Sequence, residues 1–196
     1  MRLILSSKSP RRKELLALCG FDFDVIPADI DEYKITKEIL NTSDPDKFSS
    51  LVMALARKKA RCIYEKNRSS TVIGSDTIVV LDGAVYGKPQ SESDARKMLT
   101  TMAGKVHYVY TGVAIISDKN EEVFYDLTEV RFHNLDSNMK TLIEDYIKSG
   151  DPFDKAGAYG IQGFGSLLVD YINGDYYSVM GLPISKVYRS LKENFI

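Results

Sequence analysis

The chain has 196 residues, 44% of them hydrophobic and 27% charged, which is enough for one substantial buried core. Its 26 basic and 27 acidic side chains give a formal net charge of −1, which argues against a general nucleic-acid or membrane-surface binder. No apolar stretch approaches the length of a signal peptide or a membrane span. We therefore expect a single domain over residues 1–196 that acts in the cytoplasm.

The predicted elements alternate between strands and helices. The first half is predicted to hold a strand over 2–6, a helix from Pro10 to Gly20, a strand over 21–28, a loop over 29–45, a helix over 48–66 and a hairpin over 70–89 that turns at Asp82-Gly83. The second half is predicted to hold a helix over 91–102, strands over 105–117 and 121–133, a helix over 136–150, a glycine-rich loop, a strand over 166–172 and a helix from Pro183. This alternation indicates an α/β protein with a mixed sheet.

The start of the first helix has an unusual charge pattern. Ser9 and Pro10 form a good helix start, but Arg11, Arg12 and Lys13 follow in the first turn. The helix dipole disfavours cations there by about 0.3–1 kcal/mol each. A bound phosphate would relieve this repulsion, since free amides and arginines at a helix start make an anion site. The alternative is that the arginines face solvent or pair with surface carboxylates.

A carboxylate interrupts the apolar run "TVIGSDTIVVL". Burying Asp76 in such a strand is costly unless it is hydrogen-bonded, paired or bound to a metal. It is a candidate Mg²⁺ ligand or general base, and the small Gly74 and Ser75 would let a ligand approach the backbone. The alternative is a turn or capping aspartate at a strand break. The acidic segment "ADIDEY" is a candidate source of a second carboxylate for the same metal.

Lysines at loop junctions are further candidates for anion binding. Lys88 lies in "YGKP", and Lys155 precedes a loop with four glycines over residues 157–165. Gln162 in that loop offers a donor and an acceptor to a nucleobase edge. The order of residues is neither that of a P-loop nor that of a dinucleotide fingerprint, so a mobile connection is the alternative.

Other polar residues give weaker signals. Lys59 belongs to a basic run on the long helix, most of which we expect to be a solvated face. His107 and His133 lack ligand spacing and are expected to be packed or surface residues. Cys19 and Cys62 also lack metal-type spacing, so we expect small buried residues of a reducing compartment.

Five motifs occur together in one order: "LILSSKSPRR", "DIDE", "VIGSDTIVVLDG…YGKP", "DKAGAYGIQG" and "GDYYSVMGLPI". In order and approximate spacing the chain resembles the Maf family over about residues 3–190. The resemblance implies an α/β fold of two lobes around a long mixed β-sheet with a central cleft. It also implies hydrolysis of a nucleoside triphosphate to the monophosphate and pyrophosphate, which would serve a house-cleaning role in the nucleotide pool. Neither nucleic acid nor a membrane is an expected partner, and the family suggests a homodimer.

The resemblance also implies roles for individual residues. Asp76 matches the proposed general base and metal neighbour, and Glu32 is favoured over Asp31 as its metal partner. The implied metal is a divalent cation, Mg²⁺ first, with Mn²⁺ or Co²⁺ as alternatives. The positions that match phosphate contacts are Ser7, Arg12, Lys59, Lys88 and Lys155. The positions that match substrate choice are Arg11, Thr77 and Gln162, the set of the dTTP/UTP-hydrolysing branch.

Two functions remain open from the sequence. The first is a pyrophosphatase acting on dTTP and UTP, with modified pyrimidine triphosphates as further candidate substrates. The alternative is a nucleotide-binding regulator of septum formation with little turnover. A sensor without turnover would most simply lack the Asp76 carboxylate or the lysines, and this chain has them.

Overall fold

The computed structural model describes residues 2–195, which form an α/β fold with a mixed sheet, as predicted. The strands are β1 (Arg2–Ser6), β2 (Asp24–Val25), β3 (Ser70–Leu81), β4 (Ala84–Tyr86), β5 (Val106–Ile116), β6 (Glu121–Phe132) and β7 (Val169–Asn173). The helices are α1 (Pro10–Leu18), α2 (Glu32–Leu40), α3 (Lys47–Tyr64), α4 (Glu92–Met102), α5 (Ser137–Lys148), α6 (Tyr176–Met180) and α7 (Ile184–Asn194). Short 3₁₀ helices cover Asp151–Asp154, Ala156–Ala158 and Gly163–Leu168.

The sheet contains both parallel and antiparallel pairs. Its strand order is β2-β1-β3-β5-β6-β7, and β4 pairs with β3 off this path. The strand β1 is parallel to both β2 and β3, whereas β3–β4 and β6–β7 are antiparallel. The predicted hairpin turn is confirmed, since Asp82 and Gly83 both have positive φ between β3 and β4.

The chain divides into two compact units. The first contains the residues up to Thr77, Tyr110–Asp126 and the residues from Gly181 on. The second contains Ile78–Val109 and Leu127–Met180.

In the first unit, α3 lies unusually close to the sheet. A Cβ on Gly74 would stand 2.2 Å from the Ala56 carbonyl oxygen, and one on Gly112 would stand 2.3 Å from the Val52 carbonyl oxygen. Glycine is therefore required at both strand positions for the helix backbone to approach. The expectation that Gly74 leaves room for a ligand is wrong, because α3 occupies that space.

The core of the second unit packs α4 and α5 against the strands through apolar side chains. Its largest fully buried members include Leu99, Met102, Phe132 and Tyr146. His107 is fully buried against Phe132 and donates to or accepts from the Tyr159 hydroxyl over 2.8 Å. A packed His107 is thus confirmed.

Several local predictions from the sequence are wrong. The segment 29–45 contains α2, which was missed because the polar composition of the segment and its "NTSDPD" indicated a loop. The strand predicted over 21–28 is reduced to Asp24–Val25. The two thiols are unpaired, as expected, but both cysteines are half-exposed instead of buried.

His133 is exposed, which agrees with the surface alternative for that residue. Across residues 2–195, no helix is both long and apolar enough to cross a membrane.

Candidate active site

The loop from β1 into α1 is organised by serine hydroxyls. Ser9 caps α1, its Oγ accepting a hydrogen bond from the Arg12 amide over 3.4 Å. The Ser7 Oγ in turn accepts from the Ser9 amide over 3.1 Å, and the Ser6 Oγ donates to the Lys59 carbonyl over 3.0 Å. The first turn of α1 has no acidic residue, as the sequence indicated. This serine network therefore fixes where the first turn of α1 begins.

The Arg12 side chain turns inward and is half-buried. Its Nε donates to the Gly181 carbonyl over 2.8 Å, and a terminal nitrogen donates to the Thr77 Oγ1 over 2.9 Å. Burial lowers the pKa of the Arg12 guanidinium, and the nearby Asp76 carboxylate opposes that shift. An arginine stays charged under these conditions, so a fixed cation lies beside the Asp76 segment of β3.

Asp76 is buried and shares a lysine with a second carboxylate. Its side chain is among the buried polar groups of the chain, and its Oδ1 accepts from the Lys59 Nζ over 2.6 Å. The Glu32 Oε1 lies 2.9 Å from the same Nζ. Lys59 reaches this position because α3 packs so closely over Gly74, two residues before Asp76. The expectation that most of the basic run on α3 is solvated therefore does not hold for Lys59.

The environment of Asp76 shifts the pKa of its carboxyl group. Burial raises the pKa of the Asp76 carboxyl, while the charges of Lys59 and Arg12 partly oppose the shift. A carboxylate with a raised pKa is a stronger base than an ordinary aspartate once it is ionised. Perturbed carboxyl groups of this kind are typical of functional sites.

The carboxylates of Glu32 and Asp76 both contact the Lys59 ammonium. Asp31 is engaged elsewhere, since its side chain caps α2 by accepting from the Lys34 amide over 3.0 Å. That leaves Glu32 and Asp76 as the pair around the Lys59 ammonium. Mg²⁺ is commonly held by one or two carboxylates together with substrate phosphates, so this donor set fits such an ion. Over residues 2–195 no group of three or more His, Cys, Asp or Glu side chains could hold a metal unaided.

Three further candidate residues, Lys88, Lys155 and Gln162, lie in the second unit, whereas Arg11 belongs to the first. The Lys155 Nζ donates to the Asp151 carbonyl over 2.5 Å and to the Asp154 Oδ1 over 2.7 Å. Gly160 packs on the Lys155 stem, because a Cβ there would stand 2.8 Å from the Lys155 Cε. Lys88 and Gln162 are exposed. The structure thus brings together Arg12, Lys59, Asp76, Thr77 and Glu32 within one unit, and Lys88, Lys155 and Gln162 belong to the other.

Comparison with known proteins identifies the family. The model described as "Maf-like protein" matches residues 2–194. A protein of Bacillus cereus named dTTP/UTP pyrophosphatase is 47% identical over 192 residues, which covers 98% of this chain and 95% of the relative. A protein of that name from Bacillus anthracis is 46% identical with the same coverage of both chains. The chain belongs to the Maf family.

In this Maf-family chain, two residues of the site, Gly181 and Thr111, were missed from the sequence. The Gly181 carbonyl accepts from both Arg12 and the buried Ser75 hydroxyl, the latter over 3.0 Å. The buried Thr111 hydroxyl lies 2.9 Å from that of Thr77. Gly181 belongs to a motif that signalled the family, but nothing in the sequence indicates that β5 places Thr111 beside β3.

Proposed function

We propose that the chain hydrolyses dTTP and UTP to the monophosphate and pyrophosphate. The observation that carries this function is the buried Asp76, held by Lys59 and flanked by Arg12, in a chain that is 47% identical to a relative named dTTP/UTP pyrophosphatase. A carboxylate base beside fixed cations is what water attack on a phosphoanhydride requires.

In the proposed reaction Asp76 acts as the general base. It orients a water molecule, whose oxygen forms a bond to the α-phosphorus as the proton passes to the carboxylate. The bond from the α-phosphorus to the bridging oxygen breaks, and pyrophosphate leaves with that oxygen's electron pair. Lys59 keeps the Asp76 carboxylate in one orientation through the 2.6 Å hydrogen bond. A divalent ion held by Asp76 and Glu32, Mg²⁺ before Mn²⁺ or Co²⁺, would supply neutralising charge to the phosphates when bound.

Arg12 is suited to bind a phosphate oxygen. A guanidinium carries five N–H donors, and the structure uses Nε and one terminal nitrogen for Gly181 and Thr77. The donors that remain extend from a group already fixed in direction, so little side-chain entropy is lost on binding. This anchoring supports a phosphate-binding role for Arg12 and explains why cations are tolerated at the start of α1.

The remaining assignments rest on the family motifs. Ser7, Lys88 and Lys155 are proposed as phosphate contacts, and Arg11, Thr77 and Gln162 as residues that determine the base. Modified pyrimidine triphosphates are proposed as further substrates. The unpaired thiols suit a reducing compartment, which supports a cytoplasmic site of action.

The test is a product analysis with a panel of canonical and modified triphosphates in the presence of Mg²⁺. We expect monophosphate and pyrophosphate from dTTP and UTP. Asp76→Asn should lower the rate by about 10²–10⁴-fold, the usual contribution of a general base. Asp118→Asn is the matched control because Asp118 is exposed, and it should retain full activity. Chelation of divalent ions should stop turnover, and added Mg²⁺ should restore it.

Other outcomes would change the assignment. Diphosphate and phosphate as products would place the attack at the γ-phosphorus and contradict the mechanism. Nucleotide binding without turnover of any triphosphate would favour the regulator of septum formation over the enzyme.

A further inference from the structure

The buried Thr111 contacts Thr77, the residue that the family motif links to substrate choice. Thr111 on β5 has no exposed surface, and its Oγ1 lies 2.9 Å from the Thr77 Oγ1. Arg12 donates to the same Thr77 oxygen over 2.9 Å. The Thr77 hydroxyl is therefore held between a cation and a second hydroxyl.

The hydrogen-bonding capacity of Thr77 restricts what it can offer to a ligand. A threonine hydroxyl has one proton and two acceptor lone pairs, and Arg12 uses one of the lone pairs. A hydrogen bond received from a cation polarises the hydroxyl and makes it a better donor, so chains of hydrogen bonds favour one direction. The favoured direction runs from Arg12 through Thr77 to Thr111.

We propose that Thr111 is a positioning residue that accepts the Thr77 proton and so leaves Thr77 only an acceptor lone pair for the nucleobase. The inference rests on the proposed function, in which Thr77 contacts the base. Uracil and thymine carry a donor at N3, which matches an acceptor. Cytosine carries an acceptor at N3, which would face the lone pair unfavourably. Thr111 thereby contributes to the choice of dTTP and UTP over cytosine nucleotides.

Removal of the Thr111 hydroxyl tests the proposal. In Thr111→Val the Thr77 proton has lost its acceptor and is free to be donated to cytosine N3. We expect the ratio of kcat/KM for CTP to that for UTP to rise by at least about tenfold, since mismatched polar groups in a site govern selection of this kind. Thr111→Ser keeps the hydroxyl and should keep the ratio of the unaltered protein.

The matched control is Thr128→Val, which removes a buried hydroxyl bonded to the Ser178 hydroxyl over 2.8 Å in the other unit. This control should leave the CTP-to-UTP ratio of kcat/KM unchanged. A loss of stability by itself would also leave that ratio unchanged. If Thr111→Val does not fold, Thr111→Ala removes the same hydroxyl without adding a methyl group at the position of the oxygen.

A second measurement uses the non-hydrolysable α,β-imido analogues of UTP and CTP. Their dissociation constants give an affinity ratio that does not depend on turnover. If the unaltered protein binds both analogues but turns over neither triphosphate, the proposed enzymatic activity fails, and the affinity ratio still tests Thr111. If turnover is observed and the ratio is equal in Thr111→Val and the unaltered protein, the role of Thr111 is overturned and the activity stands. If neither analogue binds, both proposals are wrong.

Discussion

At the scale of single residues, the buried charges of the first unit compensate one another. Asp76 would be costly to bury alone, and its raised pKa reflects that cost. Lys59 and Arg12 offset it, and Glu32 adds a more exposed negative charge on the other side of Lys59. Such a cluster is poor evidence for stability, because well-packed apolar residues often replace buried ion pairs without loss. The arrangement is better explained by chemistry than by folding.

A different buried group predicts how the stability depends on pH. Burial lowers the pKa of His107 from 6.5 to about 4, and among the described residues its Nδ1 has no hydrogen-bond partner. As the pH falls below 6.5, the unfolded chain binds a proton that the folded His107 does not, so folding stability is lost until the pH reaches the folded pKa. The loss amounts to about 3 kcal/mol between pH 7 and pH 4.

Denaturant unfolding at several pH values measures this loss. His107→Gln keeps a polar group near the Tyr159 hydroxyl but does not titrate, so its unfolding free energy should fall less towards acid than that of the unaltered protein. His133→Gln is the control at an exposed histidine and should follow the unaltered protein. Parallel curves for His107→Gln and the unaltered protein would show that His107 makes no such contribution.

At the scale of elements, the contact of α3 with β3 depends on Gly74. A methyl group there would stand 2.2 Å from the Ala56 carbonyl oxygen and 2.7 Å from the Ala60 amide nitrogen, both of them backbone atoms that cannot rotate away. We expect Gly74→Ala to lower the unfolding free energy by about 1–3 kcal/mol, the usual cost of overpacking. It should also lower turnover, because α3 carries Lys59 to Asp76.

The control for this prediction is Gly87→Ala. A Cβ on Gly87 would meet no atom within 4 Å, and its φ is not positive. The unfolding free energies of the two variants, measured with denaturant, should therefore differ clearly. Equal stability of Gly74→Ala and the unaltered protein would mean that the helix shifts without cost.

The same elements show what the sequence determines locally and what it does not. The start of α1 was predictable because the Ser9 cap and Pro10 act within one turn. The helix α2 was missed because its segment is polar and runs into the turn-like "NTSDPD", although Ile35 and Ile39 lie one turn apart on its half-buried side. Asp76 stood out as a carboxylate in an apolar strand, whereas its pairing with Lys59 depends on the approach of α3. The contact of Thr77 with Thr111 likewise depends on which strands are neighbours, which no local pattern specifies.

At the scale of the whole molecule, several basic residues away from the candidate site are paired with acids. They include Arg2 with Asp24, Arg57 and Arg61 with Glu121, Arg96 with Glu144, Lys105 with Asp82, Arg131 with Asp170, Lys148 with Asp145 and Lys186 with Asp126. With a net charge of −1, the chain has no general excess of cations to attract a polyanion. Nucleic-acid affinity would require many cations to displace counterions along the phosphate backbone.

We therefore expect no binding of a labelled DNA or RNA duplex or single strand, as measured by fluorescence anisotropy at about 50 mM salt and up to about 10 µM protein. A labelled nucleoside triphosphate should bind under the same conditions, because a few fixed cations suffice for one short phosphate chain. Arg12→Gln, which removes one cation of the site, should weaken binding of the nucleotide and leave the nucleic-acid signal at background. Nucleic-acid binding that weakens steeply with rising salt would contradict the prediction and indicate a basic surface that the local pairing of charges does not neutralise.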